Sequence, residues 1–468
     1  MTQARFLKTT MARTLFMLDA ALVVIVWPLV HWFFGSDIAG GVTLLAYPLG
    51  HLLFFHAMGL YRREAFVEKR KAVMRVPLIA VMGATAAVTV RALAAAVMPG
   101  ISPLPVPHDE AVIFGIAILC FSLCGVAARV MLALMLRRNL LHRRLLVVGA
   151  GPRAWDLLRM LRKEGASLNY DITFLRDPPD GSVDPGLEAE PNVAILPPGQ
   201  ISVLNAARAA GADQIVIAPD ERRGMDLEQL LACKKAGFPV VQYLSFVEQE
   251  IKRVDIKRMD LGWLVFSDGF YFGAIDRFLK RVFDIVVSLS VLILAMPLIL
   301  LGIAAIRLEG KGPVFYRQER VTLDGTVFRI LKLRTMRVDA EAAGAVWAAE
   351  RDNRITRAGL FLRRARIDEL PQLINILKGE MSFVGPRPER PMFVKELAEK
   401  IPLYQERHMV KAGLTGWAQV NYPYGASVDD ARSKLSYDLY YVKNFSIFFD
   451  FMILMQTLRV VLWPGGVR

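Results

Sequence analysis

At 468 residues the chain is too long for one ordinary domain, and with 54% apolar residues and a mean hydropathy of +0.36 it is more apolar than a soluble enzyme requires. The net charge of +14 does not mark a nucleic-acid protein: no nucleic-acid module is visible, and basic residues beside an anionic membrane leaflet account for it. Cys120 and Cys124 in one apolar run and Cys233 alone form neither a disulfide framework nor a metal set.

Four apolar runs, at 14–34, 40–60, 73–98 and 111–135, are each long enough to cross a bilayer. No small-residue cleavage site stands out after the first, and more spans follow, so it reads as an anchor rather than a removable signal. Arg5, Lys8 and Arg13 precede the first run; Arg62, Arg63, Lys69, Arg70, Lys71 and Arg75 lie between the second and third; Arg137, Arg138, Arg143 and Arg144 follow the fourth. The loops at 35–37 and 99–110 carry no Lys or Arg. The positive-inside rule therefore predicts a cytoplasmic N-terminus and a cytoplasmic location for everything after residue 138.

Residues 139–250 read as an α/β domain. The apolar strand Leu145-Leu146-Val147-Val148 leads into Gly149-Ala150-Gly151-Pro152-Arg153-Ala154 and then into a helical pattern through Leu161. This fits the loose dinucleotide fingerprint, with alanine in the last glycine position. Strand-like runs at 172–175, 214–218 and 240–243 alternate with helical stretches such as 227–236, which predicts a doubly wound parallel sheet. Arg176-Asp177-Pro178-Pro179 offers no clear ribose acceptor, so the glycine turn reads first as fold architecture and only second as a nucleotide site.

A linker is predicted at 251–278, and a fifth apolar run follows at 282–306. Lys280 and Arg281 stand before it and Arg307, Lys311, Arg317 and Arg320 after it, so a full crossing would strand one basic flank outside. Pro297 interrupts the middle. A helix that dips into the inner leaflet, breaks near Met296-Pro297 and returns satisfies both facts; a kinked fifth span is the alternative.

The chemistry concentrates beyond this helix. Gly312-Pro313-Val314-Phe315-Tyr316-Arg317-Gln318-Glu319-Arg320 comes first, and a strand at 327–333 then leads to Lys332-Leu333-Arg334-Thr335-Met336. Next stands Arg363-Arg364-Ala365-Arg366-Ile367-Asp368-Glu369-Leu370-Pro371. Pro371 is predicted at the first position of a helix whose apolar residues Leu373, Ile374, Ile376 and Leu377 run to a stop at Gly379. A carboxylate pair beside the positive end of a helix, approached by arginines, can supply a nucleophile, a ligand for a hard cation, or both. The bland alternative is a surface helix pair between Arg364 and Asp368. Gly385-Pro386-Arg387-Pro388-Glu389-Arg390 and Gly413-Leu414-Thr415-Gly416-Trp417-Ala418-Gln419-Val420-Asn421 complete the series. The apolar run 446–463, broken by Asp450 and Arg459, suits an interfacial helix.

In order and spacing these pieces resemble the bacterial polyprenyl-phosphate sugar-1-phosphate transferases, closely over 280–462, and the whole chain resembles their long-form members. The resemblance implies a four-span α-helical bundle, a Rossmann-like cytoplasmic α/β domain, and a mainly α monotopic catalytic domain at 279–468 whose re-entrant helix covers about 279–307. It implies transfer of a sugar-1-phosphate from a UDP-sugar to undecaprenyl phosphate with release of UMP, at the cytoplasmic face of a bacterial inner membrane, as a first step of exopolysaccharide or related glycan assembly. Asp368 is then the nucleophile and Glu369 helps it hold Mg2+, with Mn2+ second. Lys332, Arg363 and Arg387 match basic positions around the phosphates, Arg334, Gln318 and Arg320 complete the candidate phosphate-binding set, and Pro297 matches the helix-breaking proline. A homodimer and other polysaccharide assembly proteins are the implied partners.

Two departures from the common pattern stand out. Leu333-Arg334-Thr335-Met336 replaces Phe-Arg-Ser-Met and keeps the cation and a hydroxyl. Asn421-Tyr422-Pro423-Tyr424-Gly425 replaces Asn-Gly-Arg and resembles the exosortase-linked branch, which leaves the sugar open. A membrane-bound nucleotide-sugar dehydratase would need Lys four residues after a Tyr, a spacing that none of the twelve tyrosines has. A catalytically silent scaffold would not need the intact acidic pair.

Overall fold

The computed structural model describes residues 11–33, 41–61, 65, 69–97, 107–138, 141–163, 170–176, 182–191, 193–197, 201–221, 226–259, 262, 267–270, 273–337, 340, 354–422, 425 and 427–462. The chain divides into two compact units, Met1–Ile251 and Lys252–Arg468.

The first unit begins with helices α1 (Met11–Phe33), α2 (Gly41–Ala57), α3 (Lys69–Val97) and α4 (Pro107–Arg137). Among the described residues four helices are long and apolar enough to cross a membrane: Arg13–Val30, Ala72–Val90 and Ala111–Arg137 here, and Ala274–Glu309 in the second unit. α2 has 17 residues, fewer than the run at 40–60 led us to expect. Trp27, Tyr47 and Phe121 fill the space between these helices, yet Ile25, Leu29, Leu119 and Leu123 point outward. A surface apolar on both its inner and outer faces belongs in lipid. The charges inside are paired: Arg129 Nη1 lies 3.3 Å from Asp19 Oδ1 and donates to the Gly125 carbonyl at 2.7 Å.

Strands β1 (Arg143–Val148), β2 (Tyr170–Leu175), β3 (Ala194–Leu196), β4 (Gln214–Ile217) and β5 (Val240–Gln242) follow, with helices α5 (Pro152–Lys163), α6 (Val203–Ala209), α7 (Leu227–Lys235) and α8 (Tyr243–Ile251) between and after them. The sheet has the order β3-β2-β1-β4-β5, and every neighbouring pair is parallel. Leu145 to Val148 are buried, which is why the sequence shows a continuous apolar run there. At the glycine turn Arg153 N donates to Asp220 Oδ1 at 3.0 Å, and a Cβ at Gly151 would collide with that carboxylate. An acceptor that a ligand's phosphate can supply at such a turn is here a carboxylate of the chain itself.

The second unit contains α9 (Ala274–Glu309), the antiparallel hairpin β6 (Phe315–Val321) and β7 (Val327–Leu333), α10 (Arg357–Arg364), α11 (Gln372–Lys378), β8 (Ser382–Val384), α12 (Pro391–Lys400), β9 (Gly413–Thr415), α13 (Trp417–Asn421), α14 (Val428–Lys443) and α15 (Ile447–Leu462). Its core is built from Leu373, Ile376, Phe383, Leu397, Tyr441 and Ile453. Part of the stretch expected as a linker belongs to this core. Val254 and Ile256 are buried in it, Val254 N donates to Ser436 O at 3.0 Å, and Trp417 Nε1 donates to Lys252 O at 2.8 Å.

α9 runs for 36 residues with Pro297 inside it, so the expected break near Met296-Pro297 does not interrupt the helix. Proline removes one backbone donor, and the flanking residues stay helical around the gap. Lys280 and Arg281, counted above as a basic flank, instead face protein. Arg281 donates to Ile376 O at 2.6 Å and Leu377 O at 2.7 Å, closing the C-terminal end of α11. At the other end of α9 the Glu309 carboxylate accepts from Arg357 N at 2.6 Å and Ala358 N at 3.0 Å at the start of α10. Asp450 and Arg459 of α15 likewise turn inward, leaving Phe448 and Leu458 exposed on that helix.

Candidate active site

The acidic pair sits where two helices meet. Thr356 caps α10 by accepting from Gly359 N at 3.0 Å, and the helix ends at Arg364. Arg366 then takes the left-handed conformation (φ 59°), unusual for a side chain larger than Asn, and reverses the chain. Asp368 and Glu369 lie in the 3-10 turn Ile367–Glu369 that follows, and α11 begins at Gln372 with Pro371 at its cap. The helix therefore starts one residue later than expected, because the preceding 3-10 turn draws Leu370 and Pro371 into the approach. Gly379 ends it in the left-handed conformation (φ 86°), as the sequence indicated.

Asn375, a polar residue inside the apolar run of α11, binds this helix to β7. Its Oδ1 accepts from Leu331 N at 2.9 Å and its Nδ2 donates to Arg329 O at 2.9 Å, replacing a missing neighbour strand. That brings Lys332 onto the acidic pair: Lys332 Nζ lies 3.3 Å from Glu369 Oε1. Arg387 Nη2 reaches the same oxygen at 2.9 Å, and Arg366 Nη1 lies 3.4 Å from Oε2. The arrangement is asymmetric, since Glu369 carries three cations while Asp368, 8% exposed, joins no ion pair among the described residues.

The other expected residues divide. Arg363 Nε donates to the buried Thr335 hydroxyl at 2.9 Å, so the hydroxyl retained at position 335 orients the arginine. Gln318 and Arg320 join the turn that carries Arg387: Arg320 donates to Gln318 Oε1 at 2.6 Å and to Pro388 O at 3.0 Å. Arg334 turns away, donating to Lys311 O at 3.1 Å and Gly310 O at 3.3 Å just beyond the end of α9. The alternative surface pair between Arg364 and Asp368 is not formed among the described residues, because α10 ends before the turn that holds Asp368. Sequence periodicity could place Asn375 in a helix but could not show which backbone groups its amide would meet.

Burial raises the Asp368 carboxyl to about 6, with the Glu369 charge adding to it and Lys332, Arg363 and Arg366 opposing. Burial alone would raise Glu369 as well, but Arg387, Lys332 and Arg366 hold it well below the usual carboxylate range. Burial also lowers Lys332, against the pull of Glu369. Two adjacent carboxyls are thus driven apart, Asp368 upward by burial and Glu369 downward by the cations around it.

Residues 275–464 match the bacterial sugar transferase family. A UDP-N-acetylgalactosamine-undecaprenyl-phosphate N-acetylgalactosaminephosphotransferase of Aeromonas hydrophila is 41% identical over 253 residues, 53% of this chain and 58% of that protein. The chain thus spans little more than half of that relative. UDP-glucose:undecaprenyl-phosphate glucose-1-phosphate transferases are 41% identical over 185 residues in Caulobacter vibrioides (39% of this chain, 69% of that protein) and 31% identical over 328 residues in Klebsiella pneumoniae (67% of each). Matches that cover two thirds of these relatives, together with a family match over the stretch that builds the acidic site, make this chain a member of the bacterial sugar transferases of the polyprenyl-phosphate hexose-1-phosphate transferase group.

Proposed function

We propose that the protein transfers a sugar-1-phosphate from a UDP-sugar to undecaprenyl phosphate through a covalent intermediate on Asp368, releasing UMP. The observation that carries this reading is the asymmetry of the acidic pair, with Glu369 fixed by three cations and Asp368 buried and, among the described residues, outside any ion pair. An Asp368 oxygen attacks the sugar-bearing phosphorus, the bond from that phosphorus to the bridging oxygen breaks, and UMP leaves with the electron pair. A phosphate oxygen of the lipid then attacks the same phosphorus and the acyl-phosphate bond breaks, restoring the Asp368 carboxylate. Lys332, Arg363 and Arg387 neutralise charge that builds on the transferring group.

Mg2+, or Mn2+ in its place, is the proposed cofactor. Among the described residues no group of three or more His, Cys, Asp or Glu could hold such an ion, and the adjacent carboxyls of Asp368 and Glu369 are the hard oxygen donors that the acidic turn offers. Asp368 and the remaining lone pairs of Glu369 would hold it, and it would supply screening of the diphosphate.

The proposed setting is the cytoplasmic face of a bacterial inner membrane, with the catalytic unit inside. A re-entrant course for α9, bent at Pro297 rather than broken there, is supported by its two ends, since Arg281 at one and Glu309 at the other bind the same unit while Ile293, Leu294, Leu300 and Leu301 between them are exposed. The Rossmann-like reading of the α/β domain is supported by its parallel strand order. A homodimer and other polysaccharide assembly proteins remain the proposed partners, and the sugar is open because the relatives' names include both glucose and N-acetylgalactosamine.

The test is UMP release by the purified full chain from a panel of UDP-sugars with undecaprenyl phosphate and Mg2+. Lipid-dependent release with one donor is the expected result; silence with every donor would favour a scaffold. A second expectation concerns pH. Because the Asp368 carboxyl is raised to about 6 and only the carboxylate is nucleophilic, single-turnover UMP release should fall as pH drops through about 6. A limb near 4 would mean that the carboxyl is not held in a desolvated site.

A further inference from the structure

Arg387 occupies a turn that cannot be held in the ordinary way, because its neighbours Pro386 and Pro388 have no N–H. The turn is fixed instead through its carbonyls. Gly413 N donates to Pro386 O at 2.8 Å, Arg320 Nη1 to Pro388 O at 3.0 Å and Val321 N to Glu389 O at 3.0 Å. The carbonyl of Arg387 itself accepts from Arg407 Nη2 at 3.0 Å.

Arg407 lies in the 3-10 helix Tyr404–Met409, and its side chain is 5% exposed. The same Nη2 is 2.7 Å from Asp438 Oδ2 on α14, and Nη1 donates to the Tyr404 hydroxyl at 2.8 Å. Asp438 is itself 3% exposed on its side chain. A fully buried ion pair is weak support for stability, since desolvation offsets most of the attraction, so its location calls for another account. Its backbone bond outside its own helix, among the described residues, goes to the carbonyl of the arginine that grips Glu369.

We propose that Arg407, held by Asp438, is a positioning residue for the transfer reaction: it fixes the backbone of Arg387 and so aims that guanidinium at Glu369 and the diphosphate of the donor. This rests on the proposed transferase reading. Lysine at 407 keeps the charge but has no planar fork, and it cannot hold Asp438, Tyr404 and the carbonyl together.

The experiment is a double-mutant cycle on the full chain with Arg407→Lys and Arg387→Ala, reading kcat and KM for UMP release and UDP affinity by calorimetry. Arg407→Lys should lower kcat/KM by about 10- to 100-fold, as expected for a small displacement of an aligned group. In the Arg387→Ala background the same change should cost less than about 3-fold, because its target is gone. Equal costs in both backgrounds, or no cost in either, would overturn the proposal. If Arg407→Lys does not fold, Asp438→Asn tests the same chain of contacts with the volume kept. If the wild type turns over no donor, the transferase reading fails on its own, and the cycle in UDP affinity still decides whether Arg407 acts through Arg387.

Discussion

Replacing Asp368 by asparagine should reduce UMP release by about 10³-fold or more while leaving a protein that folds at least as well as the wild type. The side chain keeps its size and its place in the 3-10 turn but has no nucleophilic carboxylate. The stability half follows from the sign of the shift. A carboxyl raised from 3.8 to about 6 contributes stability that is fully present below its unfolded value and lost as pH rises through the folded one. At pH 7 to 8 the charged Asp368 therefore costs the fold roughly 1–3 kcal/mol, which a neutral amide avoids. Glu369→Gln should act in the opposite direction. Its carboxyl is depressed, so its contribution is present at neutral pH and lost on acidification, and the amide leaves Lys332, Arg366 and Arg387 facing no anion. UMP release and thermal unfolding of both variants, with a search for phosphosugar on the protein, make the comparison. Turnover by Asp368→Asn near the wild-type level would remove it as nucleophile, and a lower melting temperature for that variant at pH 8 would contradict its burial as an unwanted charge.

Much of this site is legible in the sequence because its signals are local. The Asp368-Glu369 pair, the glycine stop at 379, the strand at 327–333 and the proline-flanked Arg387 each depend on a few adjacent residues, and each lies where short-range rules put it. What the sequence conceals is direction. Gln318, Arg320 and Arg334 look like further phosphate ligands by charge and proximity, yet Arg320 supports the Arg387 turn and Arg334 serves carbonyls beyond α9. Those carbonyls need donors for reasons set by tertiary packing, which no periodicity records. The same limit applies to Asn375 and Arg407, whose targets are backbone atoms 44 and 20 residues distant in sequence. Charge counting near the membrane leaves partners unread for a related reason. Lys280 and Arg281 have the composition of a topological flank, but their partners are carboxylates and helix-end carbonyls of the catalytic unit.

Lys280 gives the largest expected loss of stability. Its Nζ lies 2.6 Å from Asp450 Oδ2 and 3.1 Å from Asp284 Oδ1, and donates to Val384 O at 3.2 Å. Asp284 accepts further from the Ser382 hydroxyl at 3.0 Å and Phe383 N at 3.1 Å, while the Tyr441 hydroxyl serves Asp450 at 2.7 Å and Val384 O at 3.0 Å. Asp450 is fully buried and Asp284 nearly so, and Lys280 is the cation in ion-pair contact with both among the described residues. Lys280→Met keeps the length of the stem and removes the charge, exposing two buried carboxylates to each other. Breaking such a pair costs about 3–5 kcal/mol, a large part of the 5–15 kcal/mol that holds an ordinary domain folded. Adding Asp450→Asn should restore roughly half of the loss, because it removes one of the two stranded charges and leaves the amide able to accept from Tyr441. Denaturant unfolding of the full chain in detergent, followed by a probe in the catalytic unit, measures both steps. The network also joins α9 to β8, whose next residue, Gly385, opens the Arg387 turn, so the single variant should lose UMP release in parallel with stability and the double variant should regain part of each. An unfolding midpoint unchanged in Lys280→Met would mean that this lysine faces lipid headgroups, as a flank charge would.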